Sequence, residues 1–282
     1  NPVTRYQETL YSEWGQNFEQ GKILFEAETD HQHLIIFDNP RFGRVMALDG
    51  VIQTTEADEF VYHEMMVHVP MNTHALPKRV LIIGGGDGGI LREVLKHSAV
   101  ESVTQVEIDR AVVDMCVEFF PNHSQGAFDD PRLNLVIDDG AAFIASNTAT
   151  YDVIITDSTD PIGPGEVLFE SIFYQGCANA LAADGILVTQ NGVPYMQGDE
   201  VTNTYRRWRS YFATRSFYLT PVPTYAGGAM AMGFASKSNI KSPDHATLLR
   251  RTKQLNTLKY YTPDVHLGAF GLPKYVQDLM ID

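Results

Sequence analysis

A glycine loop and an ordered series of carboxylates, Asp87, Glu107, Asp138, Asp139, Asp157 and Asp160, are the residues here with the chemistry to hold a cation. Gly84-Gly85-Gly86-Asp87-Gly88-Gly89 follows the apolar run RVLII and precedes a helical pattern, ILREVLKHS. Glycines at such a junction let the backbone turn sharply and let a ligand approach it closely. The same letters satisfy the dinucleotide pattern G-x-G-x-x-G, with Glu107 spaced as a ribose-binding acid would be. An NAD-dependent enzyme is therefore one reading of the loop. Asp87 argues against it, because a pyrophosphate on the helix N-terminus would meet a like charge within a few ångströms, at a cost on the order of kcal/mol. A sulfonium nucleoside has no phosphate and carries one positive charge, so it suits this loop better. Glu107 would then take both ribose hydroxyls, and Asp138-Asp139-Gly140 would suit adenine. Either aspartate is also placed to cap the helix that follows.

Asp157-Ser158-Thr159-Asp160-Pro161 adds two carboxylates three residues apart in a turn. With Asp87 they make an acidic pocket beside the sulfonium. Methyl transfer to an oxygen or ring nitrogen has no evident need for three acids. A diamine does: its amines ionise like lysine at ~10.4, so one must be anchored as ammonium while the other loses its proton to become a nucleophile. Taken alone, such a pair is often just a solvated turn.

The elements that position these residues change character along the chain. KILFEAE, HLIIFD and RVMALD alternate and are broken by Asp30-His31, Asn39-Pro40 and Asp49-Gly50, which predicts a small antiparallel sheet of hairpins over residues 1–55. Ala57 to Val69 predicts a helix, and Pro70 and Pro77 bracket a linker. From Lys78 onward, continuous apolar strands alternate with helical patterns: RVLIIGGG, SVTQVEID, RLNLVIDDG, YDVIITDS and GILVTQNG, with AMAMGFAS as a late strand. That order predicts an α/β, Rossmann-like catalytic domain over 56–282 with a mostly parallel sheet. Ligands of open parallel sheets sit at the carboxyl ends of strands, where the acids and glycines fall. TDPIGPGE, residues 159–166, is a Pro/Gly-rich connection with the composition of a lid over the site. The tail from Asp244 reads as helices.

Charge supports a cationic ligand. Lys+Arg number 21 against 35 Asp+Glu, a formal net charge of −14, which argues against nucleic acid and favours cations in an acidic cleft. No apolar run approaches the roughly 18 residues of a membrane helix. Cys116 and Cys177 sit among apolar neighbours and read as buried free thiols, which points to a cytoplasmic setting.

In order and spacing, GGGDGG, VEID, DDG and DSTDPIGPGE resemble the polyamine aminopropyltransferases of the bacterial spermidine synthase type. LDGVIQTTEADEFVYHEM and PTYAGG resemble the same family, so the likeness runs from about Tyr6 to Leu279. The resemblance implies an adenosylmethionine-methyltransferase-type sheet and transfer of the 3-aminopropyl group of decarboxylated S-adenosylmethionine to putrescine, giving spermidine and 5′-methylthioadenosine. It implies no metal or cofactor, because the sulfonium is itself the leaving group. Asp157 would be the general base, with Tyr62 beside it. Gln32, Gln53, Asp87, Glu107, Asp138, Asp139, Gly140 and Pro164 would surround the donor. His63, Asp87, Asp157, Ser158, Thr159, Asp160, Gln190 and Tyr225 would line the polyamine side. Relatives are dimers or tetramers. A methyltransferase on the same fold and a non-catalytic polyamine-binding module are the competing readings.

Overall fold

The computed structural model describes residues 2–157 and 166–282. Ser158, Thr159, Asp160 and Pro164, with nearly all of the expected lid, lie outside the described residues.

Two strands missed by the alternation pattern open the chain, β1 (Arg5–Gln7) and β2 (Asn17–Glu19), paired antiparallel. An antiparallel meander follows: β3 (Ile23–Glu28), β4 (His33–Asn39), β5 (Gly43–Leu48) and β6 (Val51–Thr55). Asp49 and Gly50, at φ +48° and +80°, make the tight β5–β6 turn, a conformation that Asp-Gly adopts readily. Successive side chains of a strand point to opposite faces, and here both faces are covered. Ile35, Phe37, Val45, Ala47 and Ile52 pack on Phe18, while Leu34, Ile36 and Met46 pack on Val112, Cys116 and Phe120 of the larger domain.

Helix α1 (Glu59–Thr73) comes next and runs through Pro70. The expectation that Pro70 begins a linker is thus wrong. A mid-helix proline forfeits one backbone bond, but α1 is buried from Val61 to Asn72, Tyr218 Oη donates to the Met65 carbonyl (2.8 Å), and His74 N still reaches the Pro70 carbonyl (3.0 Å). Packing overrides the local preference.

The remaining chain alternates: β7 (Arg79–Gly84), α2 (Gly89–Val94), β8 (Ser102–Glu107), α3 (Arg110–Phe119), α4 (Pro121–Ser124), β9 (Leu133–Ile137), α5 (Gly140–Ser146), β10 (Tyr151–Asp157), α6 (Glu166–Ala180), β11 (Leu181–Gln190) and α7 (Gly198–Trp208). A closing hairpin of β12 (Thr214–Thr220) and β13 (Met230–Ser236) precedes three short helices, α8 (His245–Thr252), α9 (Pro263–Ala269) and α10 (Lys274–Gln277). The seven-stranded sheet has the order β12-β13-β11-β10-β7-β8-β9. Strands β7 to β11 are parallel; β13 joins β11 and β12 antiparallel. The chain leaves β7 towards β8 on one side and returns to β10 on the other, which opens a crevice at their carboxyl ends. One core layer packs α1 and α2 on the sheet, and the other packs α5, α6 and α7 on its opposite face. Cys116 and Cys177 are buried and unpaired, as expected.

Candidate active site

The glycine loop leaves β7 with Gly84, Gly85 and Gly88 at positive φ of 84°, 68° and 85°, which only glycine adopts at little cost. Two glycines serve neighbouring side chains. A Cβ on Gly86 would lie 3.0 Å from Glu107 Oε2, and one on Gly89 would overlap the His63 ring. The loop is also held by Gln105, which reasoning from motifs missed: its amide donates to the Gly84 and Gly85 carbonyls at 3.0 and 2.8 Å.

Asp87 and Asp157 end up at the mouths of adjacent strands, since Asp157 pairs in register with Gly84. Tyr62 Oη donates to Asp157 Oδ1 at 2.5 Å. Burial raises the Asp157 carboxyl to about 7; Asp87 adds to the rise, and the Tyr62 hydrogen bond and His63 oppose it. Asp87 moves the other way. Burial disfavours its charge, but the His63 ring 3.2 Å away and the Gly89 N–H at 2.8 Å hold the carboxyl well below its usual range. Two carboxylates facing one crevice are therefore driven apart in acidity.

His63 is buried at 2% exposure on α1, with Nε2 towards Asp87 and Nδ1 on Glu59. The Tyr62 ring makes edge contact with Tyr225 at 5.6 Å, and Tyr225 Oη donates to the Gln53 carbonyl at 2.7 Å. The loop carrying Tyr225 is pinned by Asp58, which accepts from Thr224 N and Oγ1 at 3.0 and 2.6 Å. Trp14, Gln16, residues 221–223 and residues 225–229 line a cavity of about 530 Å³. Trp14 carries no motif, and no sequence signal marks it; the N-terminal segment reaches this place through Gln16, whose amide donates to the Thr224 carbonyl at 2.6 Å. Gln190 ends β11, beside β10.

On the opposite side of the crevice, Glu107 ends β8 at 8% exposure. Burial raises it to about 7; the N–H of Asp109 works against the rise, and the carboxylates of Asp157, Asp109 and Asp87 add to it. Gln32 comes from the loop before β4 and donates to Asp109 Oδ2 at 3.0 Å, which leaves its carbonyl oxygen free to accept. Asp109 caps α3 and was not picked out from sequence; the residue pair Thr29 and Gln32 depends on it. Asp139 caps α5 through Ala141 N and Ala142 N at 2.8 and 3.1 Å, and Asp138 accepts from Asp139 N at 2.8 Å. Gly140 lets α5 approach β7, since a Cβ there would meet Ile83 Cγ2 at 2.5 Å. Ile108 and Ile137, next to Glu107 and Asp138, are large apolar side chains left 43% and 39% exposed.

Sheet order, antiparallel closing hairpin and an acid at the end of the second parallel strand define the class: a Rossmann-like fold of the adenosylmethionine-methyltransferase type, with added carboxylates at the crevice. Residues 59–244 match the spermine/spermidine synthase domain, and residues 6–56 match the spermidine synthase tetramerisation domain. The chain therefore belongs to the spermine/spermidine synthase family, and it is a transferase of the polyamine aminopropyltransferase kind. It is 60% identical over 276 residues to polyamine aminopropyltransferase 1 of Pseudomonas aeruginosa, covering 97% of this chain and 96% of that one. It is 54% identical to the polyamine aminopropyltransferase of Pectobacterium carotovorum, covering 96% and 95%. Spermidine synthase from Thermotoga maritima superposes with a TM-score of 0.89 at 38% identity, covering 98% of this chain and 94% of that one. A spermidine synthase in complex with the transition-state analogue AdoDATO gives 0.90 at 39%, with the same coverage.

Proposed function

We propose that the donor is decarboxylated S-adenosylmethionine, the acceptor putrescine and the products spermidine and 5′-methylthioadenosine. The observation that carries this reading is the divergence of Asp87 and Asp157. A carboxylate held firmly ionised suits an anchor for the donor's ammonium, and one raised to about 7 suits a proton acceptor. An alkylammonium at ~10.4 lies roughly 7 pH units above an ordinary aspartate and roughly 3 above Asp157, so the shift removes on the order of 4 kcal/mol from the proton transfer.

In this reading the neutral amine attacks the carbon next to sulfur. The new N–C bond forms as the C–S bond breaks, sulfur keeps the electron pair as a neutral thioether, and the amine proton passes to Asp157. Tyr62 holds the carboxylate that receives it. Because the sulfonium leaves as an uncharged group, the reaction calls for alignment and deprotonation rather than a cofactor. Glu107 and Gln32 face the ribose, Asp138 and Gly140 the adenine, and Asp139 orients that turn by capping α5. Gln53 joins the donor side, and His63, Gln190, Tyr225 and the Trp14 cavity define the amine side; the family resemblance also assigns Ser158, Thr159 and Asp160 to the polyamine and Pro164 to the adenine. The match of residues 6–56 supports a homodimer or homotetramer, and two buried free thiols support a cytoplasmic setting.

Incubation with labelled decarboxylated donor, and in parallel with intact S-adenosylmethionine, each with putrescine and other diamines, followed by mass spectrometry, tests the reading. Spermidine and methylthioadenosine in equal amounts are expected. Adenosylhomocysteine formed from the intact donor, or no transfer to any diamine, would overturn it.

A further inference from the structure

A buried ladder of alternating charges runs from Asp87 into the protein between α1 and α2. Asp87 faces His63 Nε2 at 3.2 Å, and His63 Nδ1 is bonded to Glu59 one helical turn earlier. Both Glu59 oxygens are taken by Arg92 in a fork, Nη1 to Oε1 and Nη2 to Oε2, each at 3.0 Å. Arg92 is 9% exposed; its Nη1 also donates to the Asn122 and His123 carbonyls at 3.2 and 2.9 Å, and its Nε to Glu93 Oε2 at 2.8 Å. Glu93 is fully buried and closes the ladder on Lys96 and His68.

The ladder fixes the state of His63. A neutral imidazole has one donor and one acceptor, whereas each ring nitrogen here meets an ionised carboxylate, which can only accept. The ring must therefore be an imidazolium with both protons engaged. The other groups around it do not change this. His123 lies edge-on at 5.8 Å between ring centres, with its Nε2 2.8 Å from Thr54 Oγ1, and burial keeps it towards the neutral form. Tyr62 is edge-on at 5.6 Å and donates to Asp157. For His63 itself, burial favours the neutral ring, but Asp87 and Glu59 outweigh it and lift the ring to about 10. Glu59 is driven down to about 2: burial opposes its charge, and His63 and Arg92 more than compensate.

We propose that Glu59 and Arg92 are positioning residues for the transfer: their forked ion pair locks His63 as a permanent cation, and that cation holds Asp87 ionised and aimed at the donor's ammonium. This rests on the donor-side role of Asp87 proposed above. His63 then takes no part in moving the reaction's proton, because it has no free nitrogen to receive one. Gly89 belongs to the same device, since any side chain there would displace the ring.

The test is Glu59→Gln, which keeps the shape of the side chain and removes the carboxylate between Arg92 and His63, so that His63 keeps only Asp87 as an ionised partner while Arg92 retains Glu93. Loss of one charge-assisted contact behind Asp87 should raise the donor KM about ten- to a hundredfold while kcat falls only a few-fold. The kcat/KM profile for the donor should gain an ionisation between about pH 6 and 8 that the wild type lacks, where an unperturbed histidine titrates. Glu59→Asp should recover part of the donor KM. The direct readout is long-range ¹H–¹⁵N NMR of His63 in the wild-type protein, with both ring nitrogens protonated from pH 6 to 9. That measurement does not depend on which group is transferred, and it stands even where the variant folds poorly. A wild-type His63 that titrates below pH 8, or a Glu59→Gln variant with unchanged donor KM and unchanged His63 signals, would overturn the proposal. Wild-type production of spermidine alongside either result would leave the proposed reaction intact.

Discussion

Glu107 stores a cost in the ligand-free protein, and Glu107→Gln measures it. The glutamate has an ordinary value of 4.5 and is raised to about 7 here. That interval is roughly 2.5 pH units; at about 1.36 kcal/mol per unit it corresponds to roughly 3 kcal/mol. The folded protein binds this proton more tightly than the unfolded chain does. The contribution to stability is therefore complete below 4.5 and is lost as pH rises through about 7. At pH 8.5 the ligand-free protein carries a nearly buried carboxylate facing Asp157, Asp109 and Asp87. Glutamine keeps an oxygen for the Asp109 N–H, 3.2 Å from Oε1, and removes the charge. Thermal unfolding of the ligand-free proteins should show the variant ahead by on the order of 5 °C at pH 8.5, with the difference shrinking towards pH 5. With methylthioadenosine the order should reverse, because the two ribose hydrogen bonds proposed for the Glu107 carboxylate would be lost; affinity should fall about a hundredfold. A variant less stable than wild type at pH 8.5, or an offset that is the same at pH 5 and 8.5, would refute the argument.

Three further outcomes follow from the crevice. Asp157→Asn should lower kcat by about 10²–10⁴-fold, as loss of a general base does, with methylthioadenosine affinity by calorimetry changed much less. Tyr62→Phe removes the hydrogen bond that lowers Asp157, so the carboxyl should rise further and the acid limb of kcat/KM should move to higher pH; a limb that stays put would remove Tyr62 from that role. Asp87→Asn should raise the KM of the decarboxylated donor and narrow the affinity gap to intact S-adenosylmethionine, whose extra carboxylate meets less repulsion; an unchanged gap in calorimetry would contradict this.

Much of the fold and part of the site are legible in the residues themselves. Continuous apolar runs ending in glycine or acid mark parallel strands, and an Asp-Gly pair marks a hairpin, because both signals come from local backbone chemistry. They place Gly84–Gly89, Glu107, Asp138 and Asp157 at strand ends, where the structure has them. Local signals fail where packing decides. Pro70 lies inside α1 because the helix is enclosed on every side, and β1, β2 and β12 are too short or too mixed in pattern to stand out.

What the sequence determined by itself is the inventory: an acidic glycine loop, acids at successive strand ends and a family likeness. The tertiary structure alone decided what each acid is. Asp87, Glu107 and Asp157 are the same functional group at similar strand ends, yet one is forced down and two are forced up. The difference comes from His63, brought to Asp87 from α1 beside Glu59 and Arg92; Glu107 and Asp157 meet burial and neighbouring carboxylates instead, and the Tyr62 hydrogen bond only tempers the rise at Asp157. Acidity depends on distance and burial between residues far apart in the chain. No spacing of letters records either.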